Sequence, residues 1–297
     1  MPRILLSGAS GLIGTALLPV LTSAGYEVVR LVRKDAALER QVPWDPGQSL
    51  PPESVSGFDA VVHLAGESIV GRWTAAKKQR IVQSRVPPTQ RLAQALASAP
   101  QKPRVLITAS AVGYYGNRGD ELLREESASG SGFLADVCRR WEAAAQPADD
   151  AGIRTAQVRF GLVLSSAGGA LAKMLLPFRL GMGGRVGNGR QWWSWIHIED
   201  VAGAILHVLK ADLSGPVNVV GPNPSTNAEF TKALGAALAR PAIFPMPAFA
   251  ARLVFGEMGD ELLLASQRVE PARLNASGYR FRFSELKPAL ADLCGGK

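Results

Sequence analysis

Short apolar runs of strand length alternate with longer stretches of helical character along the first two-thirds of the chain. Arg3-Ile-Leu-Leu-Ser7 opens as a strand and enters a glycine-rich turn, after which Thr15 to Leu21 reads as helix. Further strands are expected at Tyr26 to Val32, Ala60 to Leu64, Arg104 to Thr108, Arg154 to Arg159 and Pro216 to Val220. Arg72 to Arg85, Thr89 to Ala99 and Leu134 to Ala145 read as helices, with Val86-Pro-Pro88 expected to break the first from the second. Strands alternating with helices predict an α/β fold with a doubly wound parallel sheet. From about Leu164 the pattern loosens into loops at Gly168-Gly169, Gly181 to Gly184 and Gly187 to Gly189, and order returns over Trp195 to Leu209. Beyond Gly221 prolines and short helices lead to a closing Gly278 to Phe283. Residues 1–165 and 196–220 are therefore expected to form a nucleotide-binding domain, and 166–195 with 221–297 a smaller C-terminal substrate lobe over its cleft.

The turn after the first strand reads Gly8-Ala-Ser-Gly11-Leu-Ile-Gly14. Placed between strand and helix, this spacing predicts a Rossmann dinucleotide site. Gly8 permits the tight turn, Gly11 the approach of backbone to a pyrophosphate, and Gly14 the packing of helix on strand. The helix N-terminus supplies amides and partial positive charge.

Bulk properties narrow the classes. The 297 residues are 47% hydrophobic and 20% charged, enough for a large buried core. Ile4 to Tyr26 carries no charge, but its glycines, Pro19 and strand-then-helix pattern argue against a membrane span or a signal peptide. Cys138 and Cys294 give no disulfide framework and fit a reducing, cytoplasmic setting. The net charge of +8 comes from dispersed residues without a basic run, so nucleic acid is not expected as a partner, and without a spanning segment neither is a membrane. Attraction of a polyanionic small molecule accounts for part of the charge.

The end of the second strand distinguishes between cofactors. An NAD site places an acid there to accept from the ribose 2′-hydroxyl. This chain has Arg30-Leu-Val-Arg33-Lys34, and no acid until Asp35. An arginine fork holds a 2′-phosphate, which a carboxylate would repel, so NADP(H) is the expected cofactor. The competing reading is that Arg33 and Lys34 solvate a strand end. Asp45 either meets the adenine amino group or caps a turn.

With these residues in place, the chain resembles the extended short-chain dehydrogenase/reductases, the NAD(P)-dependent epimerase/dehydratase family. The resemblance rests on Gly8-x-x-Gly-x-x-Gly14, His63-Leu-Ala-Gly66, Ala109 to Gly116, Arg159-Phe-Gly161 and Ile196-His-Ile-Glu-Asp200. Trp44-Asp-Pro46, Gly66-Glu67, Ser84-Arg85, Trp141-Glu142, Gln191-Trp192 and Trp195-Ile-His197 resemble the branch known as epimerase family proteins, some of them described as cell-division inhibitors. The segment from Asn223 onward resembles that branch's C-terminal domain of unknown function. The resemblance implies that Gly8, Ser10, Gly11, Leu12, Ile13 and Gly14 line the pyrophosphate and Arg33 the 2′-phosphate. It further implies that Leu64, Ala65, Gly66 and Arg85 lie along the cofactor, with Phe160 to Val163 beside the nicotinamide.

Typical members use a Tyr-x-x-x-Lys pair on the helix after the serine strand. The tyrosine exchanges a proton with a substrate hydroxyl, and the lysine lowers its pKa and holds the ribose. Here Tyr26, Tyr114, Tyr115 and Tyr279 are followed four residues later by Arg30, Arg118, Gly119 and Phe283, so no such pair exists. Counting back from Trp141 places Leu134 and Cys138, or Phe133 and Val137, at the expected positions. Three readings follow: Tyr114 or Tyr115 with Ser110 takes the proton role, hydride transfer proceeds with little acid help, or the chain binds NADPH without turnover. His63, His197 and His207 lack metal-ligand spacing, so no metal site is expected. Glu67 is placed to enter the cleft. Arg185, Asn188, Gln191 and Trp192, Trp193 and Trp195 either face the substrate or pack the lobes. The substrate itself is an unidentified small molecule.

Overall fold

In the computed structural model, which describes residues 1–33 and 40–295, seven strands form one parallel sheet. In chain order they are β1 (Arg3–Ser7), β2 (Glu27–Val32), β3 (Gln41–Pro43), β4 (Ala60–His63), β5 (Val105–Ala111), β6 (Arg154–Phe160) and β7 (Gly215–Val219). Their spatial order is β7-β6-β5-β4-β1-β2-β3. The winding reverses between β1 and β4, and open α/β sheets bind ligands at the carboxyl ends of such strands. Register puts Ser7 beside His63 and His63 beside Thr108, a polar row at that edge.

Alternate strand residues feed two different cores, as a period of two requires. Ile4, Leu6, Val62, Ile107 and Val158 pack with Leu17 and Leu21 of α1 (Leu12–Ser23). Leu5, Val61 and Leu106 pack on the other face with Leu92 and Leu96. Those two leucines belong to α3 (Val86–Ser98), which follows α2 (Ala75–Gln83). Helices on both faces make the sheet doubly wound, as the sequence pattern predicts.

The helix boundaries correct the sequence reading in one instructive place. Pro87 and Pro88 do not separate two helices, because they lie inside the first turn of α3. First-turn residues have no intrahelical acceptor for an N–H, so proline costs nothing there and its fixed φ favours the start. The break falls at Ser84-Arg85 instead. Helix α2 begins at Ala75 rather than Arg72, where the Thr74 hydroxyl accepts from the Lys77 amide at 3.2 Å.

Continuing along the chain are α4 (Phe133–Ala143), α5 (Gln146–Asp150), α6 (Gly169–Arg179), α7 (Ile198–Lys210), α8 (Asn227–Ala237), α9 (Ala248–Phe255), α10 (Ala272–Ala276) and α11 (Leu286–Cys294). Leu164, Trp193 and Trp195 join Leu171, Leu175 and Phe178 of α6, Phe230 and Leu234 of α8 and Leu290 of α11 in a third apolar core. Trp193 and Trp195 are therefore packing residues and do not face a ligand. Gly278 to Phe283 is irregular; Asp200 fixes it by accepting from the amides of Arg282 at 2.7 Å and Phe283 at 2.9 Å. Among the described residues, no helix is long and apolar enough to cross a membrane.

Candidate functional site

The glycine turn joins β1 to α1 at the point where the winding reverses. Gly8 has φ +71°, and a Cβ on it would lie 2.7 Å from the backbone of Leu64. The turn after β1 and the turn after β4 thus touch through a residue that must be glycine. A Cβ on Gly14 would stand 2.2 Å from the Gly8 carbonyl oxygen, so this glycine sets how closely α1 approaches the turn. Gly11 precedes α1 in extended conformation, with no side chain capping the helix and no acid in its first turn. Its amide donates to the Gly8 carbonyl at 3.0 Å. Among the described residues nothing accepts from the first-turn amides of Leu12 and Ile13, which are free to meet an anion. Ser10 is exposed at the tip, and Leu12 packs against Gly168 and Gly169 before α6.

Around this cradle the remaining expected cofactor positions converge on the carboxyl edge of the sheet. Arg33 is exposed directly after β2. Lys34 and Asp35, which follow it in the sequence, lie outside the described residues. Leu64, Ala65 and Gly66 follow β4, and a Cβ on Gly66 would meet the Arg85 guanidinium carbon at 3.2 Å. Arg85 donates to the carbonyls of Glu67 at 2.8 Å and Ile81 at 3.2 Å, and stacks on Trp141 at 5.0 Å. Burial lowers its pKa, and among the described residues it forms no ion pair. Phe160 ends β6, and Val163 sits in the short strand Leu162–Leu164 that follows. Asp45 accepts from the Gly47 amide at 2.9 Å, which is the turn-capping role.

Beneath this edge lies a buried polar network centred on Arg159. Its guanidinium makes two 2.8 Å hydrogen bonds to Glu142 of α4, and a third of 2.9 Å to the Tyr115 hydroxyl. Burial disfavours its charge, but Glu142 outweighs that, and Arg159 holds its proton more tightly than a free arginine. Ser110, 2% exposed at the end of β5, donates to the Glu142 carboxylate at 2.6 Å. In that arrangement its oxygen can still accept a hydrogen bond, while its proton is committed. Tyr115 is fully buried, donates to Asn218 at 2.7 Å, and burial pushes its hydroxyl up to about 12. It ties the turn after β5 to β7, and its hydroxyl proton is committed to Asn218. Tyr114 is half-buried, its ring centroid 3.5 Å from the Arg159 guanidinium carbon.

The positions counted for the missing pair carry nothing that titrates near neutrality. Leu134 and Cys138 are buried on α4, and burial pushes the Cys138 thiol up to about 12. Glu67 is held on α2 by Lys77 at 2.8 Å and Arg80 at 3.5 Å, and so does not enter the cleft as a free carboxylate. Its pKa is lowered, chiefly by the Lys77 hydrogen bond. Glu142 and Arg159 were visible in the sequence only as motif letters. The physical signal was there: an arginine near the end of a buried apolar strand demands a carboxylate partner. Among the described residues no cluster of three His, Cys, Asp or Glu could hold a metal.

A doubly wound parallel sheet with an uncapped, acid-free helix start at its winding reversal defines a dinucleotide-binding α/β protein. More narrowly, the chain belongs to the NAD dependent epimerase/dehydratase family, whose model matches residues 4–221. A domain of unknown function matches residues 246–293. The chain is 43% identical to the epimerase family protein Mb2239 of Mycobacterium bovis over 290 residues, covering 97% of this chain and 96% of that one. It is similar to a crystal structure of the human epimerase family protein SDR39U1 with NADPH, at 39% identity and TM-score 0.90, covering 99% of this chain and 100% of the other. A nucleoside-diphosphate sugar epimerase structure from Corynebacterium glutamicum matches at 40% identity and TM-score 0.83, covering 99% of this chain and 59% of that one.

Proposed function

We propose that the chain binds NADP(H) in the Gly8–Gly14 cradle and acts there as an oxidoreductase or epimerase-like enzyme on a small substrate of unassigned identity. The observation that carries the reading is the cradle itself. Two glycines stand where any Cβ would collide with backbone, under a helix start whose first amides have no other partner among the described residues. These residues fit a pyrophosphate. The human relative's structure contains NADPH, which supports the same choice here. Arg33 would hold the 2′-phosphate, Leu64 to Gly66 and Arg85 the central cofactor, and Phe160 to Val163 the nicotinamide side. When bound, the cofactor supplies or takes a hydride.

The chain's own contribution to proton transfer is assigned to Tyr114, with Ser110 accepting from the substrate hydroxyl. Glu142 and Arg159 fix both, and residues 166–195 with 221–297 would form the lobe that takes the substrate. The assay is oxidation of NADPH against a panel of keto and hydroxy compounds. Tyr114→Phe is expected to leave NADPH binding intact and to lower turnover by about 10²–10⁴, the scale of general acid–base catalysis. Unchanged turnover removes Tyr114 from the chemistry.

A second reading has its own support, since the positions expected to carry the Tyr/Lys pair hold Leu134 and Cys138, or Phe133 and Val137. In it the protein binds NADPH without turnover and signals through a partner. Tight binding with a silent panel, and a protein captured only with cofactor present, would favour it.

A further inference from the structure

Exposed large apolar side chains concentrate on one face of the C-terminal lobe. Leu180, Met182, Ile243, Phe244, Phe249 and Leu253 are each between 58% and 74% exposed. They form one surface, because the segments that bear them are zipped together. The Phe244 amide donates to Gly183 at 3.1 Å, the Met246 amide to Arg185 at 2.8 Å, and the Gly187 amide to Met246 at 2.8 Å. Helix α9 starts two residues later at Ala248 and presents Phe249 and Leu253 one turn apart on a common side. An apolar patch of this kind on a folded protein marks an interaction surface.

Charge identifies the partner. Residues 165–190 and 230–256 contain seven lysines and arginines and no aspartate or glutamate, Arg252 alone of these cations pairing with an acid just beyond, Asp260, among the described residues. Arg185, Lys232 and Arg240 line a shallow hollow of about 540 Å³ whose wall includes Ile243. A second copy of this chain would bring like charges against like across a two-fold axis. An added peptide strand would need backbone amides along 241–247, and Pro241, Pro245 and Pro247 remove three of them. Protruding apolar side chains ringed by cations match instead the interface of an anionic bilayer.

We infer that this basic apolar face docks on an anionic lipid surface, with Phe244, Phe249 and Leu253 among the headgroups and Arg185 and Lys232 over the phosphates. The expectation of no membrane partner came from the sequence's lack of a spanning segment, and a surface-bound face needs none. The inference stands apart from the cofactor reading, since vesicle binding is measured without NADPH.

The test is flotation of the full-length protein with vesicles of phosphatidylcholine alone, or of phosphatidylcholine mixed with phosphatidylglycerol. Binding is expected only to the mixed vesicles and is expected to weaken with salt. Phe249→Ser with Leu253→Ser should abolish it. Arg185→Gln with Lys232→Gln should lower partitioning by roughly 25-fold, about fivefold per cation. The substituted side chains are exposed, so folding is checked by an unchanged melting temperature. No binding to mixed vesicles, or equal binding to both kinds, overturns the inference. So does self-association in sedimentation that the serine variants abolish while vesicles bind nothing, because the face then belongs to a second copy.

Discussion

His63 shows what one residue position demands of this fold. It ends β4 fully buried, shares a 2.6 Å hydrogen bond with Ser7 through Nδ1, and burial lowers its pKa from 6.5 to about 4. Above pH 6.5 the imidazole is neutral whether the chain is folded or not. Between 6.5 and about 4 only the unfolded chain takes up the proton, so stability falls as pH falls through that window. The loss should reach roughly 3 kcal/mol by pH 4, at about 1.4 kcal/mol per pH unit. Urea titrations across that range should show the slope, and His63→Asn should flatten it. An identical slope in the variant would assign the acid sensitivity elsewhere. At this scale the glycine turn was legible, because its spacing is imposed by backbone contacts that only glycine permits. The roles of Tyr115, Asp45 and Glu67 were not. Each depended on a partner distant in the fold or hidden in local geometry: Asn218, the Gly47 amide and Lys77.

Elements meet at the Arg159–Glu142 pair, which ties β6 to α4 and, through Ser110, both to β5. Removing one member of a buried pair leaves the other charge uncompensated. Glu142→Ala is therefore expected to destabilise the protein by about 3–5 kcal/mol, measured by chemical denaturation. A loss under about 1 kcal/mol, the scale of an exposed pair, would contradict the account. Six of the sheet's seven strands were legible because buried apolar runs between helices leave little ambiguity in their sequence; β3, three residues long and partly exposed, carries no such run. Helix starts were less so. Pro87 and Pro88 read as a break because a proline's effect depends on whether it falls in the first turn, and the sequence does not mark where that turn begins. Cation placement on α6, α8 and α9 was illegible for another reason: dispersed residues become one face only after folding.

For the molecule as a whole, α7 anchors the chain's closing segment. Asp200 at the start of α7 accepts from the amides of Arg282 and Phe283, and the Tyr279 hydroxyl donates to its backbone carbonyl at 3.0 Å. His197 stacks on Phe283 at 3.9 Å and reaches Asp292 at 3.3 Å. Asp200→Ala should loosen residues 278–285 without unfolding the sheet, seen as new limited-proteolysis cleavage there with the far-ultraviolet spectrum kept. Protection equal to wild type would show that apolar packing alone holds the segment.

The central claim concerns the anion cradle and the arginine beside it, and calorimetric titration of the purified protein with NADPH and NADH tests it most directly. NADPH should bind the tighter, and Arg33→Glu should shrink the difference by about 1–3 kcal/mol, the scale of a charge-assisted contact. Equal affinities in the wild-type protein, or no heat with either coenzyme, would contradict it.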